Sequence, residues 1–154
     1  MKIEKITKTS CIIIGMEGST KEGEGFISRL WEEANSRFGE IAHLVKTDDN
    51  GMPAGIWGAM TDLSRSFSPW TDNFSTGDYL AGAECTDDAE APEGWTRWIL
   101  PGFEYIQIAC GDGDTFAAGL TYLQEHGLSL AGAVQDFTSP ASGTSYMRFP
   151  IRRL

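Results

Sequence analysis

Aromatic rings and carboxylates in strand-like runs are the side chains of this sequence that are best suited to binding chemistry. The face of an aromatic ring attracts an organic cation, by about 0.5–2 kcal/mol for each contact. A carboxylate in an apolar cleft costs several kcal/mol of desolvation unless it is paired, and a bound cation could pair it. The candidate carboxylates are Glu84 and Asp136, and the candidate lining is Trp57, Tyr79, Trp98 and Tyr146.

Each of these residues also has a purely structural interpretation. Aromatic residues in strands most often pack the core, and carboxylates in strands most often face solvent at a sheet edge. Both interpretations apply to the stretch from Glu93 to Cys110, which contains two tryptophans followed by an aromatic strand. Within it we expect Trp98 to line a pocket, and we expect Trp95 and Tyr105 to pack the fold.

Composition and charge exclude several classes of function. The chain has 154 residues, 41% hydrophobic and 22% charged, with 12 Lys plus Arg against 22 Asp plus Glu. The net charge of −10 would repel a phosphate backbone, so we expect no direct contact with nucleic acid. The longest apolar run near the start is too short for a membrane span or a signal peptide, so we expect a cytoplasmic protein without a membrane partner.

Metal, cofactor and phosphate sites are not predicted. Three cysteines and two histidines have no metal-ligand spacing, and small buried thiols are the expected state of Cys11, Cys85 and Cys110. The glycine loop from Cys110 to Asp114 precedes a predicted helix but lacks the lysine of a phosphate-binding loop. We therefore expect no cofactor and no metal.

The pattern of hydrophobic residues predicts an α+β fold. One helix begins near Phe26 and stops at Gly39, and a second is capped by Asp114 or Thr115 and ends at Gly127. A long polar loop with Trp70 and Phe74 separates two of the strands, and these rings could cover a cleft. The predicted strands are residues 2–16, 53–62, 78–87, 103–110, 130–138 and 145–153.

The order of these elements repeats. Each half reads strand, helix, strand, strand, with repeat one at about 1–88 and repeat two at about 93–154. Neither half alone offers enough core, so we expect one domain, 1–154, in which two antiparallel sheets are each backed by a helix. A ligand cleft is expected between the pseudo-symmetric halves.

Four segments resemble a known family in order and spacing. They are FISRLWEEA (26–34), GIWGAMTD (55–62), the run from Asp78 to Ile108 that contains LPGFEY, and the closing SYMRFPIRRL. Together they resemble the gyrase-inhibitor-like, effector-binding domain of AraC- and MerR-type multidrug-responsive activators. The resemblance implies a tandem strand-helix-strand-strand fold whose cleft binds hydrophobic, often cationic, aromatic compounds. This chain looks like a free-standing member, similar to effector-binding proteins of mobile gene cassettes.

The sequence departs from the family at one position. Many members carry a Glu-x-Tyr arrangement in the strand after the second helix, and the glutamate meets the positive charge of the ligand. Here that strand reads AVQDFT, so either Gln135 with Phe137 or, after a shift of one, Asp136 takes that place. Neighbouring strand residues face opposite sides, so only one of Gln135 and Asp136 points into the cleft. Glu84 is another source of negative charge.

Three functions from different classes follow from the resemblance and the charge. The first is a module that binds hydrophobic or cationic small molecules, as a drug sensor or a sequestering protein without its own DNA-binding domain. The second is a hydrolase of cyclopropane-bearing natural products, which needs a positioned general base. The third is an inhibitor that binds a gyrase-like protein partner through its acidic surface. We favour the first and expect no enzymatic activity.

Overall fold

The computed structural model describes residues 2–154, which form eight β-strands and three helices. The helices are α1 (Phe26–Ser36), α2 (Thr71–Phe74) and α3 (Thr115–Glu125), and α2 is a single left-handed turn. Short 3-10 turns lie at Thr20–Glu22, Phe38–Glu40 and Ala42–Leu44. The strands are β1 (Ile3–Lys8), β2 (Cys11–Ser19), β3 (Ile56–Thr61), β4 (Asp78–Cys85), β5 (Thr96–Leu100), β6 (Phe103–Ala109), β7 (Gln135–Thr138) and β8 (Ser145–Arg153).

All eight strands belong to one antiparallel sheet with the order β1-β6-β8-β7-β3-β4-β2-β5. The α+β class is confirmed, but the two predicted sheets are one. They join where β3 pairs with β7, with Gly58 opposite Asp136 and Trp57 opposite Phe137. A continuous sheet satisfies backbone groups that two separate edges would leave unpaired.

Corresponding strands of the two halves occupy equivalent positions on either side of the β3–β7 contact. Outward from it, β3, β4 and β2 on one side correspond to β7, β8 and β6 on the other, and α1 follows β2 as α3 follows β6. The two outermost strands are exchanged, because β1 pairs with β6 and β5 pairs with β2. The division into repeats at about 1–88 and 93–154 stays a prediction.

The predicted strand from Lys2 to Met16 is two strands. The chain leaves β1 at Lys8 and enters β2 at Cys11, and these strands lie in opposite halves of the sheet. The polar beginning of this stretch belongs to an edge strand, whereas its apolar part lies between β4 and β5. The two strands can be told apart only by their pairing partners, which are distant in sequence.

Local sequence signals position both long helices. Gly25 precedes α1 with φ of 79°, and Phe26, Leu30 and Ala34 form the buried side of that helix. The helix ends at Ser36, three residues before the predicted stop at Gly39. In α3 the Asp114 side chain accepts a hydrogen bond from the Ala117 backbone N–H at 3.0 Å, which is an N-cap.

Both long helices pack on the same face of the sheet, here called the helix face. Ile12, Ile14 and Ala81 meet α1, and Ile106, Ile108 and Phe149 pack with the α3 residue Leu123. The helix face therefore carries two separate apolar clusters with the central strands between them.

Residues 2–154 contain no helix that is long and apolar enough to cross a membrane.

The opposite face, here called the closed face, is filled by side chains from both halves. Its buried cluster includes Ile13, Trp57, Leu80 and Trp98. The sheet curls over this cluster, so that the Lys8 side chain of edge strand β1 reaches Glu84 of β4 with an Nζ–Oε2 distance of 2.9 Å.

Candidate functional site

The candidate site is a hollow on the helix face, here called the Asp136 cavity, which is lined by both polar and aromatic side chains. It lies over the start of β3, the end of β7 and the start of β8, beside Trp31 of α1. Its volume of ≈ 360 Å³ falls within the usual range for small-molecule sites. Its lining is Trp31, Ile56, Gly58, Tyr79, Cys110, Asp136, Phe137, Thr138, Ser145 and Tyr146.

Asp136 supplies the negative charge of this cavity. Strand alternation turns it to the helix face opposite Gly58, and its carboxylate accepts a hydrogen bond from the Tyr79 hydroxyl at 3.4 Å. Burial raises the pKa of Asp136 to about 6, against the lowering effect of that hydrogen bond. No lysine, arginine or histidine among residues 2–154 forms an ion pair with it.

Tyr79 connects helix α1 to this carboxylate. Its hydroxyl accepts a hydrogen bond from the Trp31 indole N–H at 3.0 Å and donates to Asp136. The ring crosses β3 at Gly58, where an added Cβ would lie 2.0 Å from the Tyr79 hydroxyl oxygen. A glycine at this position is therefore required for tyrosine and carboxylate to meet.

Gln135 faces the other way and is fully buried. Its side-chain oxygen accepts from the Met60 backbone N–H at 2.7 Å, and its amide donates to the Met60 and Ala133 carbonyls at 3.0 Å each. The side chain thus continues the β3–β7 pairing beyond the last strand pair at Gly58. The role of Gln135 is to hold these strands together.

Glu84 and Trp57 lie on the closed face, with exposures of 3% and 0%. Glu84 accepts hydrogen bonds from Lys8 Nζ at 2.9 Å and from the Trp57 indole N–H at 3.2 Å. Its two oxygens are therefore satisfied by groups of the protein itself, and one of those groups is a cation.

Arg148 places a second cation on the closed face. Its guanidinium carbon lies 3.6 Å from the Phe137 ring centre and 4.9 Å from that of Trp57, and its Nε donates to Gln107 at 2.8 Å. Burial lowers the pKa of Arg148 to about 10, and nearby Tyr105 and Glu84 oppose the shift. The aromatic rings of this face already surround a cation.

Trp98 anchors a loop instead of lining the cavity. Its indole N–H donates to Glu17 at 2.7 Å, the Arg65 guanidinium lies 5.1 Å from its ring centre, and the Phe67 ring packs edge-on at 5.9 Å. These contacts hold the start of the long loop after β3 against the closed face.

The eight predicted site residues are therefore divided between the two faces. Tyr79, Asp136, Phe137 and Tyr146 line the Asp136 cavity, although Phe137 and Tyr146 also pack with the closed-face cluster. The four that lie away from this cavity are Trp57, Glu84, Trp98 and Gln135.

Sequence reasoning did not select Trp31 and Gly58 for the site. Trp31 has the helical spacing of a core residue, but it is partly exposed and lines the cavity. Gly58 has no side chain whose chemistry could suggest a binding site. The one available signal was its central position in the strand of GIWGAMTD, because a glycine inside a strand often marks a close approach.

A smaller apolar cavity lies beside the Asp136 cavity on the helix face. It has a volume of ≈ 180 Å³, and the long loop covers it through Trp70 and Phe74. The Phe74 ring packs edge-on against Phe116 of α3 at 5.1 Å. Its lining is Met60, Trp70, Phe74, Phe116, Ala133, Val134 and Met147.

The thiols differ in exposure. Cys11 and Cys85 are buried as expected, but Cys110 is exposed and lines the Asp136 cavity, because it follows the end of β6 instead of lying inside the strand. Burial raises the pKa of Cys110, and Asp136 adds to this effect. Within residues 2–154 no three His, Cys, Asp or Glu side chains are grouped as a metal site would require.

Known structures share the fold over nearly the whole chain, although no family model and no curated protein matches the sequence. SAV2435, solved with bound tetraphenylphosphonium, has a TM-score of 0.61 at 15% identity, with 99% of this chain and 94% of that chain covered. The EcmrR C-terminal domain has a TM-score of 0.65 at 9% identity, with 99% and 98% covered. An integron cassette protein from the mobile metagenome of Vibrio cholerae has a TM-score of 0.55 at 14% identity, with 97% and 95% covered.

Proposed function

We propose that this chain, which has the fold predicted from its resemblance to the effector-binding domains, is a binding module for hydrophobic, cationic aromatic small molecules. The observation that carries the proposal is Asp136, a partly buried carboxylate that receives one long hydrogen bond and no cation within residues 2–154. The SAV2435 structure with tetraphenylphosphonium supports a ligand of this kind in the same fold.

The energetics favour a cation from outside the protein. Desolvation of a carboxylate is costly unless an opposite charge compensates it, and a bound cation would supply that charge. Trp31 and Tyr79 lie on the same side of the sheet as the carboxylate, and each cation–π contact with such a ring adds about 0.5–2 kcal/mol. A large, weakly hydrated cation would lose little on leaving water, so it fits this cavity better than a small ion.

Binding of a permanent cation should depend on pH. The ligand requires the ionised form of Asp136, whose pKa is about 6 in the free protein. Affinity should therefore rise as the pH rises through about 6 and level off above it, and binding below that pH should release a proton.

The experiment compares two ions of the same shape and opposite charge. Calorimetric titration with tetraphenylphosphonium should show binding, and titration with tetraphenylborate should show at least about tenfold weaker binding. Asp136→Asn should reduce the preference for the cation by at least about tenfold. The matched control is Asp88→Asn, which removes an exposed carboxylate outside the cavity lining and should leave both affinities unchanged.

Equal binding of the two ions would overturn the proposal for cations and leave a module for hydrophobic compounds in general. No heat with either ion, confirmed by unchanged tryptophan fluorescence, would overturn small-molecule binding of this class altogether. Trp31 lines the cavity and serves as the fluorescent reporter.

The hydrolase role has one observation in its favour. A carboxylate with a pKa of about 6, held by Tyr79 in a cavity, has the properties of a general base that could activate water. Turnover of a cyclopropane-bearing substrate that is lost in Asp136→Asn would favour this role, and its absence would leave binding alone. The role as an inhibitor of a gyrase-like protein stays a prediction from the acidic composition.

A further inference from the structure

We infer that the apolar cavity under Trp70 and Phe74 is a second lobe of the ligand site, which takes an alkyl or aryl arm of the cation held at Asp136. The inference rests on the proposed function and extends it to the shape of the ligand. That ligand is an elongated amphiphile with a charged head and an uncharged arm.

The register of the central strands places the two cavities side by side. Asp136 in the first cavity pairs directly with Met147 of the second, across the β7–β8 ladder. On β3, Gly58 lines the first cavity and Met60, two residues further on the same face, lines the second. Directly opposed residues in antiparallel strands lie about 4.5–5.5 Å apart, so an arm of a few carbon atoms spans the boundary.

Two methionines lie at this boundary, beside the Tyr79 ring that crosses β3 at Gly58. Met60 and Met147 are only partly buried, and both belong to strands that contribute to both cavities. An unbranched thioether side chain has three rotatable bonds and adapts to irregular space at low cost. Rotation of these two side chains is the movement by which the lobes would connect beside the Tyr79 ring.

The cover of the second lobe is held under backbone strain. Three consecutive residues of α2 have left-handed φ values, 51° for Asp72, 57° for Asn73 and 64° for Phe74. Phenylalanine is rarely found in this region, so contacts elsewhere must compensate for the conformation. Those contacts are Phe74 with Phe116 and the Trp70 indole N–H, which donates to the Asp78 carbonyl at 3.1 Å.

The lining of the second lobe sets the chemistry of the arm. Every side chain that contributes is a hydrocarbon, an aromatic ring or a thioether. Nothing there would compensate a second charge or a polar group on the arm, and burial of such a group would be unfavourable. A volume of ≈ 180 Å³ accommodates a short chain or a single ring and not a second large head group.

The test is a series of triphenylphosphonium cations with a methyl, propyl or pentyl arm, titrated into the full chain by calorimetry. Each methylene buried in the second lobe should tighten binding by about fourfold. In Met60→Phe, which fills the lobe, this dependence on arm length should disappear while the methyl compound still binds. The control Leu63→Phe changes an exposed residue just beyond β3 and should retain the full dependence.

The outcomes separate the two proposals. If the methyl compound does not bind in an Asp136-dependent way, the proposed function fails. If it binds but the arm length has no effect, only the second lobe fails. A length dependence as steep in Met60→Phe as in the wild type would place the arm elsewhere and would also overturn the inference. If Met60→Phe does not fold, Phe116→Ala replaces it. This variant enlarges the lobe, so its preference for the pentyl over the methyl compound should be stronger than that of the wild type.

Discussion

The two faces of the central sheet combine the same kinds of side chain and differ in one component. On the closed face, Glu84 meets Trp57 and is paired with Lys8, and Arg148 lies on Phe137. On the helix face, Asp136 meets Tyr79 and Trp31 lies nearby, but no cationic side chain of residues 2–154 pairs with the carboxylate. One aromatic, acidic site contains its cations and the other does not.

This difference shows why residue type alone does not identify a binding site. A carboxylate among aromatic rings is a stable structural unit when the fold supplies the cation, because the desolvation cost is compensated internally. When the fold supplies no cation, a bound cationic ligand can compensate the desolvation cost of the carboxylate instead. If the faces differ in this way, loss of a carboxylate should have opposite effects on the two faces.

The closed face should respond to loss of its carboxylate by losing stability. Glu84→Gln leaves Lys8 without its buried partner and should lower the free energy of unfolding by about 3 kcal/mol, measured by urea denaturation. The double variant Lys8→Met/Glu84→Gln should recover part of the loss. Unchanged stability in the single variant would mean that the ion pair does not hold the closed face together.

The helix face should respond to the same chemical change in the opposite direction. The pKa of Asp136 is raised from 3.8 to about 6 by burial, so the folded protein binds a proton more tightly than the unfolded chain. The ionised carboxylate therefore opposes folding, and the contribution of Asp136 to stability should fall as the pH rises from about 4 to about 6. Glu40 and Asp62, whose pKa values are lowered to about 2 by hydrogen bonds, change stability in the opposite direction.

Asp136→Asn should remove this pH dependence and raise the free energy of unfolding at about pH 7.5 by about 2–3 kcal/mol. Urea denaturation at about pH 4 and about pH 7.5 measures the difference, which should vanish at the lower pH. A variant that is less stable at neutral pH would show that Asp136 is a structural residue, like Glu84.

The approach of Tyr79 to Asp136 should be sensitive to one methyl group. In Gly58→Ala the new Cβ would lie 2.0 Å from the Tyr79 hydroxyl oxygen, so the ring must move. We expect a loss of about 1–3 kcal/mol in the free energy of unfolding and weaker binding of tetraphenylphosphonium. Gly39→Ala is the matched control, because an added Cβ there meets no atom within 4 Å.

The smallest expected effect is that of the Tyr79 hydroxyl. Its hydrogen bond stabilises the ionised form of Asp136 and lowers the pKa. Tyr79→Phe removes this bond, which is worth about 1 kcal/mol, and should therefore raise the pKa of Asp136 further. A carbon-13 NMR titration of the aspartate carboxyl groups measures the midpoint. Tyr105→Phe is the control, because the Tyr105 hydroxyl is buried on the closed face and has no hydrogen-bond partner in residues 2–154. An equal shift in both variants would contradict the direct contact.

Local elements of the fold could be predicted where their signals are local. The strand predicted at residues 145–153 is β8, and the Asp114 cap begins α3. Errors arose where pairing decides the boundary. The stretch from Lys2 to Met16 has continuous strand character, yet its two parts pair with strands of opposite halves.

The candidate site was predicted in chemistry and only partly in place. The sequence limited the family carboxylate to Gln135 or Asp136, because strand alternation allows only one of them on each face. Selecting between them required the pairing of Asp136 with Gly58. Trp57 and Trp98 have the residue type of a cation site, and nothing local to them reveals that Glu84 and Glu17 accept their indole hydrogen bonds.

Local patterns in the sequence predict the α+β class, the two long helices, most strands and the set of aromatic and acidic side chains that a cation site requires. These follow from periodicity and capping, which act over a few residues. Only long-range contacts place the strands in one sheet, put Lys8 and Arg148 on the closed face and leave Asp136 without a cationic partner among residues 2–154. Charge compensation depends on which distant residues meet, and chain order does not encode that contact locally.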